Sequence, residues 1–477
     1  MLTSKHLGPE KESSAREALR LFLKRRAPRF HRVVRDLWYQ HIHAGLIRLS
    51  SLRWRSISRY YYGRWIVRTG VRPVSKKRSV VFLHNSYYHF YYLAKALRRR
   101  GWDAVTVSLE DPSGPNAAYY HGEDINLFSD DYKQFTYNAR EFFVHARRRF
   151  NLMHFSGDRQ LSFLPENFES EEPWDIVEWK ASGRKVAYTI SGCNSGAAQS
   201  SVTQWSRTDG GDSVCDKCPW QHEPSVCSDA KNLAWGQKVE RFCDLIFTEA
   251  SPALDYQASA KAVREPTTMC LDSSFWRPDL PVPQRVRIPR QRGELLVYHA
   301  FGNMDLRTRN ARNIKGTGAV RAAVERLQAE GIPVRLVFVT GMRNAEVRFM
   351  QAQCDLIVDQ LNYGRYGATA REGMMLGKPT VCYINRNEPG SEHMLECMSE
   401  LPLVSATEHT IYEVLRDLLL DPDKRAAIGY ASHTYALKWH SADSCAERYE
   451  RIYDEVMSGA WPRSAAVSVP ATVPVGI

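Results

Sequence analysis

Residues 355–384, DLIVDQLNYGRYGATAREGMMLGKPTVCYI, decide the fold. Leu356-Ile357-Val358 is an apolar run bounded by Asp355 and Asp359, which predicts a short buried strand. A glycine-rich loop follows, Tyr363-Gly364-Arg365-Tyr366-Gly367, and the segment from Thr369 to Leu376 reads as a helix that Gly377 and Pro379 stop. Thr380 to Ile384 is a further strand. Strand, glycine loop, helix and strand in succession imply a parallel sheet covered by helices.

The same alternation extends outward. Glu294 to His299 predicts a strand, Gly318 to Glu330 an amphipathic helix ending at Gly331, Val334 to Val339 a strand, and Asn344 to Cys354 a helix. Nearer the N-terminus, Ser79 to His84 is a strand, Tyr87 to Arg100 a helix stopped at Gly101, and Ala104 to Leu109 the next strand. Further strands are predicted at 152–155, 185–190 and 245–248. Residues 272–292 hold four Pro and five Arg with no periodicity, the composition of an exposed connection. The expected organisation is an arm over 1–78, an α/β domain over 79–280 with a Cys-rich insertion at 191–230, and a second α/β domain over 292–440. A C-terminal helix at 441–459 and a disordered tail at 460–477 complete it. Two doubly wound domains on a linker face each other across a cleft, and such sheets bind ligands at the carboxyl ends of their strands.

Composition bounds what the chain can be. With 477 residues, 43% apolar and 25% charged, it has the make-up of a folded globular protein, which excludes disorder and collagen-like repeats. No apolar run reaches the ~18–20 residues a membrane span needs, and residues 1–20 carry charges where a signal peptide is apolar. A cytoplasmic location, peripheral to the inner face of the membrane, is expected. Residues 1–78 hold 20 Lys and Arg against 4 Asp and Glu, whereas 79–477 hold 45 against 49, so the basicity belongs to the arm. There the cations alternate with Leu21, Phe22, Leu37, Trp38, Tyr60, Tyr61 and Trp65 at roughly helical spacing. Basic amphipathic helices of this kind dock on anionic membranes, each cation contributing about 1 kcal/mol. A helical extension packed on its own protein is the alternative; nucleic acid is not expected as a partner.

Two clusters carry chemistry. Asn313-Ile314-Lys315-Gly316-Thr317 opens a helix, which sets a cation beside free backbone N–H groups at the positive end of a helix dipole and suits a diphosphate. Gly367-Ala368-Thr369 lets backbone amides approach an anion, and Glu372, one turn into the next helix, can accept both hydroxyls of a ribose. In the N-terminal half, Cys215-Asp216-Lys217-Cys218, Cys227 and Cys193 lie in a stretch too rich in Gly, Ser and Asp to build a core. Four thiolates there suit a structural zinc ion, with His222 an alternative ligand; disulfides and ordinary free thiols are the other readings. No cofactor is expected for catalysis.

Residues 240–385 resemble the C-terminal donor-binding half of GT-B-fold glycosyltransferases, in particular the retaining family-4 type. The likeness rests on His299-Ala300, Ile314-Lys315-Gly316-Thr317, Val339-Thr340-Gly341, Asp355 to Leu361, and Glu372-Gly373-Met374-Met375-Leu376-Gly377-Lys378-Pro379. It implies two Rossmann-like domains facing across a cleft, with the basic helical arm as an addition. It also implies transfer of a sugar from a nucleotide diphosphate, UDP or GDP, to a saccharide or lipid-linked acceptor in cell-surface glycoconjugate synthesis. Lys315 and Glu372 would then bind diphosphate and ribose, with Arg307, Arg309, Gly341, Gly364, Tyr366, Gly367, Ala368 and Thr369 around the donor. Asn85, Ser86 and Tyr87, at the end of the first strand, would face the acceptor. One position departs: the family's first donor-sugar Glu falls at residue 364, which is Gly here. An inverting transferase of this fold, or a non-catalytic sugar- or nucleotide-binding scaffold, is the alternative.

Overall fold

A computed structural model describes residues 78–461 apart from 84–87, 115–121, 158, 192–195, 209–210, 212, 217, 219, 249–254, 257, 264–268, 303–312 and 387–397. Residues 1–77 of the arm and the tail beyond Trp461 lie outside the described residues. In the first half the elements run β1 (Ser79–Leu83), α1 (His89–Arg99), β2 (Asp103–Ser108), β3 (Ile125–Asn126), α2 (Tyr132–Arg149), β4 (Leu152–Ser156), α3 (Trp174–Ala181), β5 (Lys185–Ile190), α4 (Gln199–Ser206), α5 (Asp229–Phe242) and β6 (Leu245–Thr248). The strands pair in the order β3-β2-β1-β4-β5-β6, all parallel. That is a doubly wound order, with its reversal between β1 and β4. All five residues of β1, SVVFL, are buried, as a strand covered on both faces requires.

The second half holds β7 (Leu295–Phe301), α6 (Thr317–Ala329), β8 (Val334–Thr340), α7 (Asn344–Gln353), β9 (Leu356–Val358), α8 (Ala368–Met375) and β10 (Thr380–Val381), then α9 (Ile411–Leu420), α10 (Pro422–Trp439) and α11 (Ala442–Ser458). Its parallel sheet has the order β10-β9-β7-β8. The chain reverses winding between β7 and β9, so the ligand crevice of this half lies beyond their carboxyl ends. The two parallel, helix-covered sheets are those the sequence predicts.

One apolar cluster joins the halves, with Phe82, Phe90 and Trp102 from the first and Tyr366, Met374 and Cys382 from the second. The C-terminal helix crosses back to seal it. On α11, Glu450 accepts from Arg78 Nη1 at 2.7 Å and Arg100 Nε at 2.5 Å, and the Tyr453 hydroxyl meets His154 Nδ1 at 2.5 Å. Ser441 caps α11 by accepting the Ser444 N–H, and Gly459 ends it in the left-handed conformation. Arg149, closing α2, grips the buried Asp103 with both Nε (2.6 Å) and Nη2 (2.5 Å), pinning that helix to the start of β2.

Some expectations need correction. The connection over 272–292 is only partly exposed: Trp276 is fully buried in the shared cluster, and Phe275 and Leu280 are half-buried against it. The ladder of the last strand stops at Val381, and Cys382 to Ile384 continue as buried irregular chain. The Cys-rich insertion contains α4, whose Val202 and Trp205 pack with Val214 and Cys215 against Ile314 and Tyr363 of the second half. It borrows the other domain's surface to bury its apolar residues.

Candidate functional site

The site forms where β7 and β9 end. Asp359 directly follows β9 and is fully buried, and its Oδ1 is ion-paired with Lys315 Nζ. Its Oδ2 accepts the Gly367 N–H at 2.8 Å. One carboxylate thus binds the lysine before α6 to the glycine that opens α8. Lys315 and Gly367 were expected to meet at a ligand; Asp359 is the residue that sequence reasoning missed. Its only signal was a charged side chain immediately after an apolar run.

Gly316 begins α6 with φ +67°, and a Cβ there would sit 2.9 Å from Leu361 Cβ, so the turn admits only glycine. Its N–H donates to Asn313 Oδ1 at 3.1 Å. His299, near the end of β7, bonds Val358 O through Nδ1 (3.0 Å) and the Thr317 hydroxyl through Nε2 (2.9 Å). Burial, and then the Lys315 charge, lower its pKa to about 4. The neutral ring that donates to Val358 O must accept at Nε2, so His299 orients the start of α6.

Gly364 has φ +74°, and a Cβ would fall 2.1 Å from the Trp205 carbonyl oxygen of α4. The same carbonyl accepts Asn385 Nδ2 at 3.0 Å, and the Tyr383 hydroxyl donates to Arg207 O at 2.8 Å. The insertion therefore sits directly on the glycine loop, and no side chain fits at 364.

Glu372 is 2% exposed. Its Oε1 accepts from the Tyr88 hydroxyl (2.7 Å) and Asn344 Nδ2 (3.2 Å), and its Oε2 from Gln351 Nε2 (2.7 Å). Burial raises its pKa, and these bonds act against the rise. A ribose at Glu372 would exchange with these partners. Tyr366 is buried, with its hydroxyl 3.3 Å from His440 Nε2 and 3.4 Å from the Tyr435 hydroxyl, in the core rather than beside Lys315. Ala368 and Thr369 are half-buried at the start of α8, and Gly341 is exposed after β8 with φ +65°. Arg307, Arg309, Asn85, Ser86, Tyr87 and Cys193 lie outside the described residues.

In the insertion, the Cys218 N–H donates to the Cys215 carbonyl at 2.9 Å, a tight C-x2-C turn. Cys215 Sγ lies 3.9 Å from Gln199 O, and Cys227 Sγ accepts from Gln199 Nε2 at 3.6 Å. Among the described residues no group of three His, Cys, Asp or Glu side chains is placed to hold a metal ion. No helix among them is long and apolar enough to cross a membrane.

No family model matches the chain, and no curated protein matches it by sequence. Among solved structures it is similar to a sucrose-phosphate synthase from Thermosynechococcus elongatus, at 12% identity and TM-score 0.49, over 80% of this chain and 100% of that one. It is also similar to Anabaena HepE in complex with UDP and glucose, at 13% identity and TM-score 0.48, over 79% and 100%. The catalytic domain of Arabidopsis thaliana starch synthase IV, bound to ADP and acarbose, is similar at 12% and 0.42, over 80% and 100%.

Proposed function

We propose that this chain is a GT-B-type glycosyltransferase that binds a nucleotide-diphosphate sugar, with UDP or GDP as the nucleotide, beyond the ends of β7 and β9. What supports the reading is that Lys315, the N-terminus of α6 and the Gly367 amide converge at the winding reversal of the second sheet, held by Asp359. Such a place favours a diphosphate, because a cation at the positive end of a helix stabilises the charge that develops on the leaving group. The proposed course is retention, in which the departing diphosphate takes the acceptor's proton and the protein supplies charge rather than a base. The acceptor is a saccharide or lipid-linked saccharide, and the basic arm docks the enzyme on an anionic membrane face. Deleting residues 1–78 is expected to abolish liposome binding and leave nucleotide binding intact.

The test is a thermal-shift screen against UDP, GDP, ADP, CMP and dTDP, followed by turnover of the matching nucleotide sugar. Stabilisation by one diphosphate that Lys315→Ala weakens supports the reading; silence across the panel overturns it. A non-catalytic scaffold is the second reading, favoured by one observation, the enclosure of Glu372 by three protein donors. Binding without turnover would select it. We also propose a structural zinc ion on Cys193, Cys215, Cys218 and Cys227, which would have to draw Cys215, Cys218 and Cys227 closer together than they stand; protein purified without chelator and found free of zinc would refute it.

A further inference from the structure

The chain leaves the first half through the connection after residue 270 and comes back to it in α11, and the two passages touch. Leu271 donates its N–H to His440 O at 2.7 Å and accepts the Ala442 N–H at 2.8 Å, a parallel bridge with Ser441. These bonds set Cys270, just before the bridge, against Cys445, the fourth residue of α11, and the two thiols hydrogen-bond to one another. Both are fully buried, and neither is in a disulfide.

The surroundings of the pair differ from those of an ordinary core thiol. On one side His89 Nδ1 accepts the Cys270 N–H at 3.0 Å and lies 3.2 Å from its Sγ, while Nε2 meets the Tyr449 hydroxyl of α11 at 3.2 Å. On the other side Arg448, one turn further along α11, brings Nη2 to 3.4 Å from Cys445 Sγ. Burial pushes both thiols up, but at Cys445 the bond from Cys270 and the Arg448 charge outweigh it and leave that thiol below its ordinary value, while Cys270 stays well above. Burial raises Cys243, Cys354 and Cys382. The thiolate is the nucleophile in disulfide chemistry, and a neighbouring guanidinium and the first turn of a helix both favour it. A metal is not the occupant, since among the described residues no three His, Cys, Asp or Glu side chains are placed to hold one.

We infer that Cys270 and Cys445 are a site of reversible oxidation, where hydrogen peroxide makes a disulfide that fastens the start of α11 to the end of the first half. The inference goes beyond the glycosyltransferase reading and does not depend on it. Cys445, as thiolate, attacks one peroxide oxygen; the O–O bond breaks, a sulfenic acid forms, and the departing hydroxide takes up the proton that Cys445 shed. The Cys270 sulfur then gives up its proton and attacks the sulfenic sulfur. The S–S bond forms, the S–O bond breaks, and hydroxide leaves with that proton as water. Two thiols are oxidised, and one peroxide is reduced to two waters. The cover over the pair is thin, with Asp443 exposed and Ser444 half-buried, so local opening of the first turn of α11 admits the oxidant. The bond closes a long loop, which places its stabilisation near the large end for a disulfide.

The full-length protein would be treated with hydrogen peroxide, its remaining thiols blocked with N-ethylmaleimide in denaturant, and the product digested without reduction. A peptide cross-linked through Cys270 and Cys445 and cleaved by dithiothreitol is expected, with a melting temperature about 4 °C or more above that of the reduced protein. Cys243, Cys354 and Cys382 should be recovered as maleimide adducts, because their oxidation would report general unfolding. Cys270→Ser and Cys445→Ser should each lose both the cross-link and the rise in melting temperature on oxidation; each is compared with its own reduced form, so a loss of stability on substitution does not confuse the result. Absence of the cross-link overturns the inference. So does a cross-link formed only together with oxidation of the other three buried thiols, or one that leaves the melting temperature unchanged.

Discussion

Asp359 holds Lys315 with one carboxylate oxygen and the Gly367 N–H, at 2.8 Å, with the other. The lysine keeps 12% of its side chain exposed, while the aspartate has none. Removing the cation therefore strands a buried charge, which typically costs about 3–5 kcal/mol, whereas a lysine without its partner can reach for water. Lys315→Met is expected to destabilise the protein more than Asp359→Asn does, and the double variant to recover much of the loss. Urea denaturation at pH 7 of all four proteins measures this; a double variant no more stable than Lys315→Met would show that the two charges are not coupled.

Gly364 gives a sterically defined prediction. Any side chain there takes a left-handed backbone, at about 1–2 kcal/mol, and meets a carbonyl oxygen 2.1 Å away. Gly364→Ala should lower the melting temperature, and Gly364→Glu, which restores the pattern of the family it resembles, should lower it further. Because the obstacle is the Trp205 backbone, trimming the Trp205 side chain should not rescue either variant. Rescue would place the clash elsewhere.

These two cases show what the sequence made legible. Apolar runs between glycine stops located the long strands and the helix starts at 317 and 368 to within a residue or two, because burial dictates local composition. Lys315 and Gly367 were readable as candidates because a cation beside one helix N-terminus and a glycine before another both suit an anion, and the structure brings the two together on Asp359. Asp359 was not, since its role depends on register between two distant segments. Nor was the seat of α4 on Gly364, or the return of α11 to α1, because those contacts join residues far apart in sequence. The two-residue strand β3 is too short to carry a periodic signal.

The Tyr88 hydroxyl links the first half of the molecule to Glu372 in the second, at 2.7 Å. Hydrogen bonds to a charged group contribute about 1.5–3 kcal/mol, so Tyr88→Phe should cost an amount of that order at pH 7.5. Glu372 titrates above its unfolded value, so its contribution to stability is fully present below that value and is lost as pH rises through the folded pKa. The bond matters most to the ionised form. The Tyr88→Phe deficit should shrink between pH 7.5 and 4.5 in denaturant titrations, and a deficit independent of pH would mean that the hydroxyl does not serve the carboxylate.

Acid should unfold the protein through its buried histidines. Burial lowers His89 to about 3 and His299 to about 4, and holds His154 and His440 well below the ordinary value of 6.5. Groups depressed in the folded state bind fewer protons there, so the stability they contribute is present above pH 6.5 and is lost as pH falls toward the folded values. Asp175 works in the opposite sense: burial raises it to about 6, and its contribution is present below 3.8 and lost as pH rises through 6. His145, lowered to about 4 mainly by burial, makes five such imidazoles, and Glu372 joins Asp175 among the carboxyls that burial raises; the imidazoles outnumber them, so stability should fall from pH 6.5 to pH 4. His299→Gln should flatten that slope by about one proton at the steepest point, at a cost in stability at pH 7.5 where its two hydrogen bonds are lost. Urea midpoints taken every half pH unit test this, and an unchanged slope in His299→Gln would show that the ring is already protonated in the folded protein.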